Sequence, residues 1–300
     1  MEDRTIDLGG PVHYLDFGGS GRPMVLVHGL GGSALNWMDA APLLAAHARV
    51  FALDLLGHGR TPCGHLTSSV QHNAELIPRF IERLAAGSVV LVGNSMGGYL
   101  SMKVAARHPE LVEAVVLVDP ALPQAPDVID PTTMQLFAMY ATPGVGEQVL
   151  RDWIRSAGPE GLMDQMLLQI AHDPARISTA WRAAHVAEIR ERQRLPTAVD
   201  DMLVAARSLI EGLLNGKPWR ESVDRIGAPT LIVHGAHDRL VSIVAARELA
   251  SIRSDWSLEV MEECGHIPMA EDPAGFTRIV LDWLAALPRS GSRASAAPAS

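Results

Sequence analysis

Residues 88–100, SVVLVGNSMGGYL, are the stretch around which the rest of this chain is organised. A valine-rich apolar run ends at Gly93, and helix-forming sequence begins directly after Ser95. A serine at the apex of a strand-to-helix turn has a strained backbone, so the residues two before and two after it must be nearly free of side-chain atoms. Gly93 and Gly97 meet that requirement. The stretch therefore predicts a sharp turn that presents the Ser95 hydroxyl.

Several other apolar runs have the composition of buried strands, at residues 23–28, 49–54, 112–118 and 229–234. A two-strand hairpin is expected before them, at residues 5–16, because a Gly-Gly-Pro turn separates two short strand-type segments. Strands that alternate with helical segments favour a mostly parallel sheet covered by helices on both faces.

The alternation of strands and helices stops after Asp119. Prolines interrupt residues 120–131, and the chain as far as Trp219 has helical periodicity without a convincing strand. We therefore expect an inserted helical unit at 121–222. A core would comprise 1–120 and 223–287, and a disordered tail rich in serine, alanine and proline would follow at 288–300.

The composition excludes some classes of partner. With 34 acidic and 25 basic residues the chain carries a net charge of −9, which argues against nucleic acid or an anionic membrane. The charged N-terminus is unlike an export signal, and the absence of an 18-residue apolar run predicts no membrane span, so a cytoplasmic location is expected. Two cysteines, Cys63 and Cys264, do not imply a disulfide framework. The oligomeric state stays open.

A serine hydroxyl is a poor nucleophile until a base can take its proton, so the turn at Ser95 predicts a histidine and a carboxylate nearby. His266 follows the last predicted strand, and Asp238 follows the strand before it. The carboxyl ends of parallel strands meet at one edge of a sheet, where these side chains would gather. Two alternatives stay open: Asp238 could instead cap a helix near residue 241, and Asp119 is a rival acid.

Four segments together resemble the α/β-hydrolase fold family: residues 28–32 (HGLGG), 93–98 (GNSMGG), 235–238 (GAHD) and 265–266 (GH). The resemblance implies an α/β-hydrolase fold, with a mostly parallel eight-stranded sheet, helices on both faces and an inserted helical cap.

The same resemblance implies roles for individual residues. Ser95 would be the nucleophile, His266 the general base and then acid, and Asp238 the residue that orients His266. The backbone N–H groups of Leu30 and Met96 would form the oxyanion hole, the second with the help of a helix N-terminus.

Other polar residues are expected to be structural. His28 would support the oxyanion loop, and residues 188–194 are expected to be a solvated helix face with i, i+4 charge pairs. No metal site is expected, because His234 and His237 lack a carboxylate or cysteine partner at fitting spacing. No cofactor is expected either, since the chain has no dinucleotide fingerprint or phosphate loop.

Three functions are compatible with the sequence. The first is hydrolysis of carboxylic esters of small to medium apolar substrates through an acyl-enzyme on Ser95. The second is carbon–carbon hydrolysis of ring-fission dienoates, because residues 93–98 are similar to the elbow of those enzymes, although Ile267 stands where they have an aromatic residue. The third is a ligand-binding protein with little turnover. Serine at the elbow, instead of aspartate, excludes haloalkane dehalogenases and epoxide hydrolases by resemblance.

The methionines of the inserted segment bear on the substrate. Met134, Met139, Met163, Met166 and Met202 could line a cavity for a hydrophobic substrate, or they could pack the helices together. The sequence leaves both options open.

Overall fold

A computed structural model describes residues 1–85 and 87–287. Its eight strands are β1 (Glu2–Asp7), β2 (Pro11–Gly18), β3 (Pro23–Val27), β4 (Arg49–Leu53), β5 (Val89–Asn94), β6 (Val112–Val118), β7 (Thr230–Gly235) and β8 (Ser257–Met261). They form one sheet in the order β1-β2-β4-β3-β5-β6-β7-β8. Only the pairings of β2 with β1 and with β4 are antiparallel.

The eleven α-helices of the described residues are α1 (Ala41–Ala45), α2 (Val70–Leu84), α3 (Met96–Arg107), α4 (Pro131–Ala141), α5 (Val145–Ile170), α6 (Thr179–Arg192), α7 (Ala198–Leu214), α8 (Gly216–Arg225), α9 (Ile243–Ile252), α10 (Pro268–Glu271) and α11 (Pro273–Ala286). Short 3₁₀ turns occur between them, including residues 34–37.

Two hydrophobic layers hold helices against the two faces of the sheet. Successive side chains of a strand point to opposite faces, so Leu91 of β5 belongs to one layer and Val90 to the other. The first layer includes Phe80 of α2, and the second includes Phe276 of α11. Both phenylalanines have no exposed surface. Burial of such a side chain stabilises the fold by about 1.5–3 kcal/mol. The arrangement confirms the predicted fold class.

The central strands have the composition that a doubly covered sheet requires. Every residue of β5 and of β7 is buried. Valine, isoleucine and leucine dominate both strands, as expected where neither face meets water. Because β3, β5, β6 and β7 run parallel, their carboxyl ends meet at one edge of the sheet. The loops that carry the predicted site residues leave the sheet at this edge.

Helices α4 to α8 lie between β6 and β7 in the chain. Gly158, with φ of 65°, interrupts α5 directly before Pro159, so this helix is kinked. Tyr140, Leu150 and Leu203 form a small core of their own where α4, α5 and α7 meet. The domain limits at 120/121 and 222/223 stay a prediction, and the predicted tail at 288–300 lies outside the described residues. Within the described residues, no helix is both long and apolar enough to span a membrane.

Candidate active site

Ser95 sits on a sharp turn between β5 and α3. Its φ of 54° and ψ of −118° are unusual for a residue with a side chain. Such a backbone costs about 1–3 kcal/mol and persists only where the surroundings enforce it. The Ser95 N–H donates to the Val118 carbonyl at 3.0 Å, which ties the turn to β6.

The glycines around Ser95 are required by close backbone contacts. A Cβ atom on Gly93 would lie 2.3 Å from the Gly97 carbonyl oxygen. One on Gly97 would lie 2.3 Å from the Val27 carbonyl oxygen. Real Cβ atoms do not approach this closely, so the chain can make this turn only with glycine at both positions.

His266 and Asp238 meet at the same edge of the sheet. His266 Nδ1 lies 2.7 Å from Asp238 Oδ2. Asp238 Oδ1 accepts from the N–H groups of Leu240 and Val241 at 2.7 and 3.1 Å. The helix after this loop is capped by Ser242 instead, whose side chain accepts from the Val244 N–H. The side chain of Asp238 thus orients His266 and fixes its own loop, and it is not the N-cap of α9.

The hydrogen bond decides which nitrogen of His266 can act as a base. A carboxylate at Nδ1 keeps the ring proton there, so in the neutral ring Nε2 carries the lone pair. Both Ser95 and His266 line one cavity. The protein therefore has a serine, an imidazole with a free Nε2 lone pair and an orienting carboxylate at one site. The catalytic roles of these residues stay predictions.

Asp119, the rival acid, is a second buried carboxyl in the same cluster. Its Oδ1 accepts from the Gly235 N–H at 2.8 Å, and its Oδ2 has no donor partner. Burial and the neighbouring Asp238 carboxylate raise the pKa of Asp119 well above its usual value. Burial opposes the charge on Asp238 too, but His266 holds the pKa of Asp238 below its usual value. The surroundings therefore favour the protonated form of Asp119 and the charged form of Asp238.

The same cluster is the place where a metal ion could be considered. Asp119, Asp238 and His266 each bring a ligand-type atom within 4.8 Å of the others. However, His266 Nδ1 and Asp238 Oδ2 are hydrogen-bonded to each other, and burial favours the uncharged form of Asp119. His234 lies beside them and donates from Nε2 to the Val241 carbonyl at 2.9 Å. To bind a metal ion, His266 Nδ1 and Asp238 Oδ2 would have to give up their mutual hydrogen bond.

The loop at residues 28–32 lies directly against Ser95. A Cβ on Gly29 would be 2.9 Å from the Ser95 Cβ, so the Gly29 backbone packs closely against the Ser95 side chain. Met96 is the first residue of α3, where an N–H has no acceptor within the helix. The oxyanion-hole roles of the Leu30 and Met96 N–H groups stay predictions.

His28 links the oxyanion loop to the loop after β4. Its Nδ1 donates to the Gly29 carbonyl at 2.7 Å, and its Nε2 accepts from the Leu55 N–H at 3.1 Å. Burial lowers the pKa of His28, which keeps the ring neutral as these two bonds require. The contacts agree with the structural role expected from the sequence.

Two residues that sequence reasoning missed hold the His266 loop in place. The Asn94 amide donates to the His266 carbonyl at 3.0 Å and to the Val118 carbonyl at 3.2 Å. Glu271 accepts from the Gly265 N–H at 2.7 Å and, with its other oxygen, from the N–H groups of His172 and Asp173. A polar residue at the end of an apolar strand marks Asn94 in the sequence, whereas nothing in the sequence marks Glu271.

Comparison with known proteins agrees with this geometry. A family model described as the alpha/beta hydrolase fold matches residues 22–273. The chain belongs to the α/β-hydrolase fold family. This confirms the resemblance stated from the sequence, and the protein is a hydrolase of this fold.

Individual relatives of this hydrolase are named for different substrates. A 2-hydroxy-6-oxo-2,4-heptadienoate hydrolase of Pseudomonas putida is 30% identical, covering 94% of this chain and 96% of its own. A pimeloyl-[acyl-carrier protein] methyl ester esterase of Aromatoleum aromaticum is 28% identical, covering 87% and 98%. The crystal structure of a serine hydrolase involved in carbazole degradation matches with a TM-score of 0.73 at 26% identity, covering 95% and 98%.

A cavity of about 710 Å³ opens above Ser95 in this hydrolase, between the sheet edge and the inserted helices. Apolar side chains form much of its wall, among them Phe137, Leu162 and Met163. Of the five methionines singled out in the sequence, Met163, Met166 and Met202 line the cavity, Met139 packs in the small core of the inserted helices, and Met134 is exposed. Both options that the sequence left open are therefore realised.

The expectation of a solvated face at residues 188–194 is wrong for several of its members, because Glu188, Ile189 and Arg192 are only partly exposed and line the cavity. The Arg192 guanidinium donates to the carbonyls of Gly57 and Gly59 at 2.7 and 3.0 Å. Charged residues between them, such as Glu191, are exposed as expected. Charge alternation on a helix does not show which face meets another part of the chain, and here α6 lies over the loop after β4.

Proposed function

We propose that this hydrolase cleaves carboxylic esters of small to medium apolar substrates through an acyl-enzyme on Ser95. The observation that carries the proposal is the 2.7 Å hydrogen bond between His266 Nδ1 and Asp238 Oδ2, because it leaves the His266 Nε2 lone pair for the Ser95 proton. The largely apolar wall of the cavity favours an apolar acyl or alcohol group.

The proposed reaction has two halves. Ser95 Oγ attacks the ester carbonyl carbon while His266 Nε2 takes the hydroxyl proton, and the oxyanion accepts from the N–H groups of Leu30 and Met96. His266 then returns the proton to the departing alkoxide, which leaves as the alcohol. A water molecule attacks the acyl-enzyme, His266 takes its proton and gives it to Ser95, and the carboxylic acid is released.

Carbon–carbon hydrolysis of a dienoate is the second candidate. The relative of Pseudomonas putida described above carries that activity in its name, and it spans almost the whole of this chain. The same elbow and histidine could serve either bond.

The test is a pre-steady-state experiment with p-nitrophenyl esters of graded acyl length, run with the wild type and with Ser95→Ala. We expect a stoichiometric burst of p-nitrophenol that Ser95→Ala abolishes, and the best chain length would give the size of the acyl pocket. A heptadienoate ring-fission product is assayed in parallel. Turnover of the dienoate without a burst on any ester would replace the ester proposal by the second candidate. If the protein turns over neither the esters nor the dienoate, the hypothesis of a ligand-binding protein would be favoured.

A further inference from the structure

One part of the cavity wall is polar and takes no part in the proposed acyl transfer. Asn36, from the 3₁₀ turn after β3, and His185 and Glu188, from α6, all line the cavity. We refer to these three residues as the acceptor cluster. His185 and Glu188 are three residues apart on one helix and therefore lie on the same face.

His185 is held in one protonation state by its neighbours. The ring stacks on Trp181 with 3.5 Å between ring centroids and 21° between planes. Its Nδ1 lies 2.8 Å from the Trp181 carbonyl oxygen, which can only accept, so Nδ1 carries the proton. Burial lowers the pKa of His185 to about 4, so the ring is neutral at pH 7 and Nε2 has a lone pair.

Within the described residues, His185 Nε2 has one polar contact short enough for a hydrogen bond, with Asn36 Oδ1 at 3.3 Å. This oxygen accepts from the Ser33 N–H at 3.1 Å and has no proton to donate. Two acceptors therefore face each other at the cavity wall. A donor from a bound molecule would satisfy both.

Glu188 adds a third acceptor beside them. The hydroxyl of Ser33 donates to its carboxylate, and burial together with the charge of Asp54 raises the pKa of Glu188 to about 7. Arg192, the nearby cation, directs its guanidinium to the carbonyls of Gly57 and Gly59. A ligand at the acceptor cluster thus meets lone pairs and a carboxyl group, with the guanidinium of Arg192 already engaged. The other two arginines of the cavity wall, Arg151 and Arg155, pair with Asp200 and Asp152.

We propose that the acceptor cluster binds an uncharged hydroxyl group of the substrate and selects against a carboxylate at the same place. The inference rests on the proposed ester hydrolysis and narrows its substrate class to hydroxylated apolar esters. An O–H group can donate to His185 Nε2 or Glu188 and can still accept from another group. A carboxylate would place a fourth set of lone pairs, and a negative charge, against this wall.

The test compares substrates that differ only in their terminal group. In the first set, the p-nitrophenyl esters of hexanoate, ω-hydroxyhexanoate and adipate have acyl chains that end in a methyl, a hydroxyl and a carboxylate. In the second set, acetate esters of alcohols with the same three terminal groups test the part of the cavity that holds the alcohol. In at least one of the two sets we expect kcat/KM to be about five- to tenfold higher for the hydroxyl than for the methyl member, as one added hydrogen bond gives. The carboxylate member should be the poorest.

Glu188→Gln is the informative variant, with Glu191→Gln as its matched control. Both replace a carboxyl group of α6 by an amide of the same shape, but Glu191 is exposed and pairs with Arg194. Glu188→Gln should lower the ratio of kcat/KM for the hydroxyl member to that for the methyl member severalfold. It should also raise the ratio of kcat/KM for the carboxylate member to that for the methyl member. Glu191→Gln should leave both ratios unchanged. Equal preferences in the two variants would overturn the assignment, as would a wild type that favours the carboxylate member.

The proposal can fail separately from the proposed function. If no ester is turned over, the Ser95→Ala variant is titrated calorimetrically with hexane-1,6-diol and with hexan-1-ol. Tighter binding of the diol, lost in a variant that also carries Glu188→Gln, would support the hydroxyl site while the ester proposal falls. Equal affinities would overturn the hydroxyl site.

Discussion

Replacing Asp119 and Asp238 by asparagine, one at a time, should have very different effects, although both carboxyls are buried within 4.8 Å of the His266 ring. Asp238 has three hydrogen-bond donors around it: the N–H groups of Leu240 and Val241 and the His266 ring. Asp119 has one, the Gly235 N–H. The better solvated carboxyl is expected to keep the charge, so we predict that the proton resides on Asp119.

Asp119→Asn replaces a protonated carboxyl by a group of the same shape. The amide oxygen can accept from Gly235, and the NH₂ group can donate to Asp238 in place of the lost proton. We therefore expect kcat/KM within a few-fold of the wild type. Asp238→Asn instead places an NH₂ group against His266 Nδ1 and forces the ring proton onto Nε2. Loss of the base should lower kcat by about 10⁴-fold.

The same substitution should change how stability depends on pH. The pKa of Asp119 is raised above its usual 3.8 in the folded protein. At a pH between these two pKa values, Asp119 is protonated in the folded protein and ionised in the unfolded chain. Unfolding therefore releases a proton, and the wild-type free energy of unfolding falls as pH rises from 3.8 to the folded pKa of Asp119. The slope for one proton is at most about 1.4 kcal/mol per pH unit. Asp119→Asn removes this contribution, so its stability relative to the wild type should rise with pH.

The assays are urea unfolding of the wild type and of Asp119→Asn across this pH range, and steady-state kinetics on the ester that the wild type cleaves best. Asp119→Ala is the control for shape, and it should be destabilised by about 1–3 kcal/mol because the Gly235 N–H loses its acceptor. The proton assignment is refuted if the stability difference between Asp119→Asn and the wild type is independent of pH. It is also refuted if Asp119→Asn loses as much activity as Asp238→Asn.

Three further predictions concern the backbone and the thiols. Glu271→Ala removes the acceptor shared by three N–H groups around the His266 loop. We therefore expect kcat to fall at least tenfold and KM to change less, and an unchanged kcat would contradict this positioning role. Gly97→Ala should not yield folded protein, because its Cβ would lie 2.3 Å from a β3 carbonyl, whereas Gly216→Ala, with open space around it, should fold normally by circular dichroism. Burial raises the thiol pKa of both Cys63 and Cys264 to about 12, so iodoacetamide at neutral pH should leave activity intact, and mass spectrometry should find both thiols unmodified.

The strand-to-helix turn at Ser95 was predictable because its determinants are local. A buried strand, a serine and two glycines adjacent along the chain leave one backbone path, and a side chain at either glycine collides with atoms of the same few segments. The alternation of apolar strands and helices similarly determined the parallel sheet. The positions of His266 and Asp238 after consecutive strands then followed from topology alone, because parallel strands bring their carboxyl ends together.

Only the tertiary structure decided the charges and contacts that depend on residues far apart in the chain. Which of Asp119 and Asp238 holds the proton depends on how many donors each meets after folding. The direction in which Glu188 points depends on where α6 lies over the loop after β4, and the sequence pattern of residues 188–194 is the same for a solvated face and a cavity wall. Hydrogen bonds and desolvation act over a few ångströms of space, whereas periodicity in a sequence reports only neighbours along the chain.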